Sequence, residues 1–358
     1  MRTSLRLMSS VVFVVLSTRC GGGPTQPTTA PTQTTTPVSS ETFHVSACQS
    51  LDAPGTYALS GDVHAASEQA TCIGIHQSSV TLDCGQHSVN GLLEIGPNLS
   101  NVTVQNCGLS VISATVGSTN LTITNSHIGW SVWVRGSHGT IITNNEIVIR
   151  SDRPAAVILD GGTNNQVVGN RIDGGYHGSD ISGTNAGNAP AADDGILVAN
   201  EDGDHIQDNT IANAWDAGIE GVSVVSNTVI SGNTIVNAVF AGIASYHCTS
   251  WRNDTVDGNA ISQSRFALLF KFDTDQCGFY PPSGPGYFTD NSFTGNRLES
   301  AFNDSPYGVL FALTAVQAIG NVLKGNDFRA GPVSVAPIPG FADGGGNVCG
   351  PASTWPSC

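Results

Sequence analysis

The sequence predicts an all-β chain wound as a parallel solenoid, and three observations carry that prediction. The chain repeats itself: residues 209–220 read NTIANAWDAGIE and residues 233–244 read NTIVNAVFAGIA, identical at eight of twelve positions. Asparagine returns with constant apolar neighbours. The element N-x-[Ile/Leu/Phe] starts at Asn145, Asn170, Asn209, Asn233, Asn259, Asn296 and Asn326, and an apolar side chain stands three residues before each, from Ile142 to Leu323. Each period holds two or three alternating runs of four to six residues with Gly or Asn at the corners, which is strand patterning, and helical spacing is absent.

Coils of this kind stack at the strand spacing, about 4.8 Å. Equal positions then lie above one another, with Ile upon Ile inside. An asparagine at the bend has both a donor and an acceptor, so its amide can bond to the amide of the next coil without end. Asparagine also tolerates the left-handed backbone that a sharp corner requires. The spacings Asn170–Asn209 and Asn259–Asn296 are longer than the rest, so the extra residues there are expected to bulge as loops.

Residues 1–19 have a basic start, a short apolar core and small residues, the pattern of a secretory signal. With Cys20 and the following GGGPTQPTTAPTQ, the segment resembles a bacterial lipoprotein leader, which implies lipidation of Cys20; Arg19 departs from that pattern, and ordinary secretion is the other reading. Residues 20–46 are Pro/Thr/Gly-rich and read as an extended tether. The formal charge of the chain is −15; from Cys20 onward ten basic residues face twenty-eight acidic ones. Such a field disfavours nucleic acid and anionic membrane surfaces, leaving a lipid anchor as the membrane contact. A monomer is expected.

The nine cysteines leave eight once Cys20 is set aside, an even set in an exported chain. Eight cysteines permit 105 connectivities. Pairing of sequence neighbours, Cys48–Cys72, Cys84–Cys107, Cys248–Cys277 and Cys349–Cys358, is the expectation.

CQSLDAPGTYALSGDVHAASEQATCIGIHQSSVTLDCGQHSVNG (48–91) resembles the opening coils of right-handed parallel β-helix proteins of the pectin-lyase-like superfamily, and the GN-x-I elements are similar to that family's coil repeat. The resemblance implies a single-stranded right-handed parallel β-helix with loop insertions over 47–330, and residues 331–358 are expected to cap it. It also implies action on, or binding of, a polysaccharide or surface glycan. The enzymes' sharper motifs are missing: SHG (137–139) and YHG (176–178) stand where polygalacturonase-like enzymes carry GHG, and neither RIK nor WIDH occurs.

Two constellations are candidates for chemistry. No Lys or Arg occurs between Arg171 and Arg252, and acids crowd that stretch. Asp193, Asp194, Glu201, Asp202 and Asp204 supply oxygens of the kind calcium takes, six to eight at about 2.4 Å; a solvated acidic face is the alternative. Lys271 and Asp273 share one strand face, with His247 and Glu220 expected in the coils below. A Lys or His base beside carboxylates suits proton abstraction by a lyase or epimerase, and paired carboxylates suit glycoside hydrolysis. A surface salt bridge is the plain alternative. Trp133, Trp215 and Arg252 are candidate sugar contacts, with Trp130 and Trp251 as further rings. A rigid, non-catalytic rod for adhesion, glycan binding or accessory work in the periplasm remains open beside the enzyme.

Overall fold

The computed structural model describes residues 42–114, 116–150, 153–178, 191–245, 249–271, 286–301, 308–313, 317–330, 333–335, 340–351 and 353. The expected signal peptide, most of the tether, Cys20, His247, Cys248, Asp273, Cys277 and Cys358 lie outside the described residues. Among the described residues the ordered elements are all strands.

Each full coil contributes a strand to sheet 1, bends, contributes a strand to sheet 2, turns, and contributes a strand to sheet 3. Sheet 1 has 13 strands among the described residues, from Thr42–Val45 to Phe341–Asp343. Its inward column runs Ile123, Ile142, Val167, Ile206, Ile230, Val256, Phe293, Leu323, each paired in parallel with the next. This is the apolar set that precedes the asparagines. Sheet 2 stacks Ile147, Ile172, Ile211, Ile235 and Ile261, and sheet 3 stacks Val157, Ile196, Ile219, Ile243, Leu268 and Val309. All are buried. Toward the C-terminus the core turns aromatic: Phe270, Phe288, Phe293, Phe311 and Phe341 form one group of stacked, tilted and edge-on rings. Trp251 meets Phe270 edge-on within it, fully buried, so this ring is core and not a sugar contact.

The asparagine ladder sits at the bend from sheet 1 to sheet 2. The backbone N–H and the side-chain amide of Asn145 both donate to Asn170 Oδ1 at 3.0 Å, and the same pair of bonds recurs from Asn170 to Asn209, Asn209 to Asn233, Asn233 to Asn259, Asn259 to Asn296 and Asn296 to Asn326. The second amide hydrogen of each goes to a backbone carbonyl of the coil below, as from Asn233 to Ile206 O at 2.9 Å. Every polar atom is thereby satisfied although the asparagines are at most 2% exposed. Below Asn145 the ladder continues through Ser126, whose Oγ accepts from the Cys107 N–H. The residue before each rung takes a left-handed backbone, as at Asn144 (φ 55), Asp208 (φ 55) and Gly232 (φ 64), which explains the recurring glycine.

A second ladder, not anticipated, lies at the bend from sheet 3 back to sheet 1. There Asn165 Oδ1 accepts from the Thr140 N–H, Asp204 Oδ1 from Asn165, Asp254 Oδ1 from Thr228, Asn291 Oδ1 from Asp254 and Asn321 Oδ1 from Asn291.

Where sheet 3 begins, Gly195, Gly218 and Gly242 face the isoleucines of sheet 2. A Cβ on Gly218 would lie 2.5 Å from Ile235 Cγ2 and 2.7 Å from Gly242 O, so only a hydrogen fits unless the corner moves. Two disulfides follow the expected neighbour pairing, Cys48–Cys72 and Cys84–Cys107; Cys349 is also disulfide-bonded. The coils extend past residue 330. Phe341–Asp343 pairs with Asn321–Lys324, Val348–Cys349 with Asp327–Phe328, and Asn347 Oδ1 takes the ladder bonds of Asn326.

Candidate active site

The outer face of sheet 3 carries one column from Trp133 through Ile158, Leu197, Glu220, Ala244 and Leu269 to Leu310. Apolar side chains dominate it. They form two clusters separate from the main core, one around Ile158 and Leu197 and one around Ala244, Phe266 and Leu269. Glu220 is the one acid in the column, and it is 7% exposed. Asp194 sits in the neighbouring column, between Ala155 and Ala217, 3% exposed, and accepts the Ala217 N–H at 3.2 Å.

These two carboxyls are hydrogen-bonded to each other. Burial first, and then the charge of Asp216, push Glu220 up to about 8. Asp194 is raised well above the ordinary range by burial and then by Glu220 and Asp216. Asp193 is the second residue of the strand Ala192–Asp202 and Asp216 lies in the bend entering Ala217–Ser226; both are half-buried, with the Asp216 N–H donating to Asp193 O at 2.7 Å. The cluster thus keeps protons on its buried pair, with the charges of Asp216 and Asp193 among the causes. Acid and base sit together, as general acid–base catalysis requires.

The five acids expected as one calcium site are divided. Asp193 and Asp194 belong to this cluster, at the start of a strand whose other end carries Glu201 and Asp202. Seven residues of strand place Asp194 and Glu201 roughly 23 Å apart. Among the described residues no group of three or more His, Cys, Asp or Glu is arranged to hold a metal ion.

Glu201 and Asp204 form a second pair, built into the corner. Glu201 accepts from the Gly162 N–H at 2.7 Å and from Asn165 Nδ2 at 2.9 Å. Burial and then Asp204 push it up to about 9, and burial raises Asp204 to about 6. Asp204 Oδ2 is buried without a conventional donor, so the Glu201 proton is what satisfies it. Asp202 is exposed and accepts from Ser226 and Asn227.

The remaining expected site residues separate. Lys271 is exposed on the face of Glu220, but two coils higher and two residues further on, on the order of 12 Å away. Trp133 is 37% exposed, with the Arg135 guanidinium 3.6 Å above its ring. Trp215 is buried at 7% exposure, so it offers no open ring face, and its indole N–H has no partner among the described residues. Arg252 stands at the opposite corner, stacked on Ser226 beside Asp202, away from Trp133. Asp216 was missed as a member of the site. Its signal was its place in the repeat, where Asp193 and Asp216 precede matching Gly–Ile steps and Phe240 follows.

The family described as the right-handed β-helix region matches residues 111–298. The chain belongs to that family. No curated protein sequence matches it. Similar solved structures include the endo-xylogalacturonan hydrolase of Aspergillus tubingensis, at 14% identity over 83% of this chain and 91% of that one, with a TM-score of 0.54. DFA-IIIase of Arthrobacter chlorophenolicus A6 is similar at 11% identity over 82% and 87%, with a TM-score of 0.51. The Dettilon tailspike protein is longer: this chain spans 61% of it, at 15% identity and a TM-score of 0.44. At these identities the likeness establishes the fold.

Proposed function

We propose that this is an exported β-helix enzyme that hydrolyses glycosidic bonds of a polysaccharide on the outer face of sheet 3. The observation that carries the reading is the buried, hydrogen-bonded pair Asp194–Glu220 beside the half-buried Asp193 and Asp216. A folded chain keeps carboxyls out of an apolar surface layer unless a partner or a function holds them there. In hydrolysis the glycosidic oxygen takes the proton held by the pair as its bond to the sugar carbon breaks. Asp216 takes a proton from the water that attacks that carbon. Trp133 and Arg135, three coils below Glu220, offer a stacking surface for a sugar further along the chain. The similar hydrolase fold supports a glycan as the partner, and the leader supports export, with Cys20 as a lipid anchor or a secreted product.

Proton abstraction by Lys271 is less favoured, because that lysine is separated from the acid cluster. The exposed Trp133–Arg135 stack favours a second reading, glycan binding without turnover. A polysaccharide panel separates them, with and without calcium. Hydrolysis releases reducing ends without the ultraviolet absorbance of an unsaturated sugar, elimination produces both, and a binding protein retains glycan while producing neither. If EDTA removes activity and calcium restores it, Asp193 and Asp194 hold a metal; if activity persists, the acids act by proton transfer alone.

A further inference from the structure

A concavity lies on the corner between sheets 2 and 3, on the N-terminal side of the acid cluster. This groove of about 520 Å³ is lined by Glu68, Ser88, Ser110, His127, Trp130 and Arg150 among others. Its size falls within the range of small-ligand sites, about 300–1,000 Å³. Glycines carve it. Gly108 stands between Ser88 and His127 in one column, and Gly129 adds no side chain beside Trp130. The corner is continuous with the acid cluster: Ser131 Oγ donates to Ala155 O at 2.9 Å in the next coil, and Arg153 and Ala155 pair with Ala192 and Asp194 in the coil above.

The groove is polarised. Glu68 lies four coils below Arg150, roughly 19 Å away. At the upper end the Arg153 guanidinium covers the Trp130 ring at 3.3 Å. Arg150 is exposed and forms no ion pair with a carboxylate among the described residues. His127 is engaged by Glu146, which also meets Arg171. In a chain of formal charge −15, two arginines beside an aromatic ring at the end of a hydroxyl-lined groove are a local exception. Arginine forms two-pronged hydrogen bonds to planar or multi-oxygen anions, and a sugar ring stacks on an aromatic face.

We propose that this groove is a saccharide-binding subsite that seats a sugar residue bearing a carboxylate or sulfate at Trp130 and Arg150, next to the acid cluster. The inference rests on the proposed action on polysaccharide, and it names the charge of the residue bound beside the reacting bond. Calorimetric titration of the full chain carrying Glu220→Gln, with neutral, uronate-containing and sulfated hexasaccharides of equal length, reads binding and not turnover. An acidic hexasaccharide is expected to bind at least about tenfold tighter than the neutral one, the worth of one charge-assisted hydrogen bond. The tighter of the two acidic sugars identifies the substituent. Arg150→Ala is expected to remove most of that preference. Gly129→Leu fills the groove and is expected to abolish binding of all three; a Cβ there meets nothing closer than Leu109 O at 3.6 Å, so the side chain starts without a clash, and an unchanged urea midpoint checks that the fold is kept. Equal binding of the neutral sugar, no binding at all, or binding indifferent to both variants would overturn the subsite. Hydrolysis lost in Glu220→Gln alongside any of those results would leave the acid cluster standing and remove the groove alone.

Discussion

Glu220→Gln is expected to lower hydrolysis by at least about a hundredfold, since a positioned general acid contributes about 10²–10⁴ in rate, while the coil stack remains intact. Glutamine has the same shape and keeps a hydrogen bond within reach of Asp194, but it carries no transferable proton. The same substitution changes the pH dependence of stability. Glu220 is raised from an ordinary 4.5 to about 8 in the folded chain. Below about pH 4.5 both states hold the proton and no penalty exists. Between there and about 8 the unfolded chain ionises while the folded chain does not, so stability falls as pH rises, by on the order of a few kcal/mol across the window. The variant lacks that loss at position 220 and keeps only the part due to Asp194. It is therefore expected to match the wild type near pH 4 and exceed it near pH 9. Urea titrations at the two pH values, beside reducing-end assays, read both effects on one preparation.

Asn233→Ala is expected to cost about 4 kcal/mol, among the larger effects of a single substitution. Asn233 Oδ1 accepts the backbone N–H and the amide of Asn209, both at 3.0 Å, and its own amide donates to Ile206 O and Asn259 Oδ1, both at 2.9 Å. Alanine leaves two buried donors on Asn209 without an acceptor, each worth about 1–3 kcal/mol. Thr234→Ala, one residue on and exposed, is the comparison and is expected to stay within about 0.5 kcal/mol of the wild type. A urea midpoint for Asn233→Ala indistinguishable from that of Thr234→Ala would mean the amides are not stacked in this way.

The first ladder was legible because one residue type solves one problem in every coil: a bend with a buried amide that accepts from the coil below and donates both to the asparagine above and to a carbonyl below. Its extension to Asn347 was not, because the apolar residue after it is Cys349 and not Ile, Leu or Phe. The second ladder was hidden for a related reason. Its accepting side chains are Asn165, Asp204, Asp254, Asn291 and Asn321, and threonine stands at the same bend at 140 and 228, so the position shows no consensus. The acid pair was hidden because its members occupy different columns. Asp194 stacks on Ala217, and Glu220 stacks on Leu197, so repeat alignment never sets them side by side. What the repeat did expose was an anomaly, a glutamate at an offset where its neighbours in the column are Leu197 and Ala244. Trp215 and Trp251 are candidate sugar contacts by sequence because aromatic residues in a polar chain suggest stacking. Burial decided otherwise: one lies in the aromatic core, and the other is covered at the corner beside Asp216.

The proton held at Glu220 is the point on which the account turns, and carbon-13 NMR titration of protein labelled at the glutamate side-chain carboxyls observes it directly. A resonance that titrates near pH 8 and vanishes in Glu220→Gln is the predicted result. A Glu220 resonance that titrates in the ordinary carboxylate range, below about pH 5, would contradict the acid pair and the hydrolysis built on it.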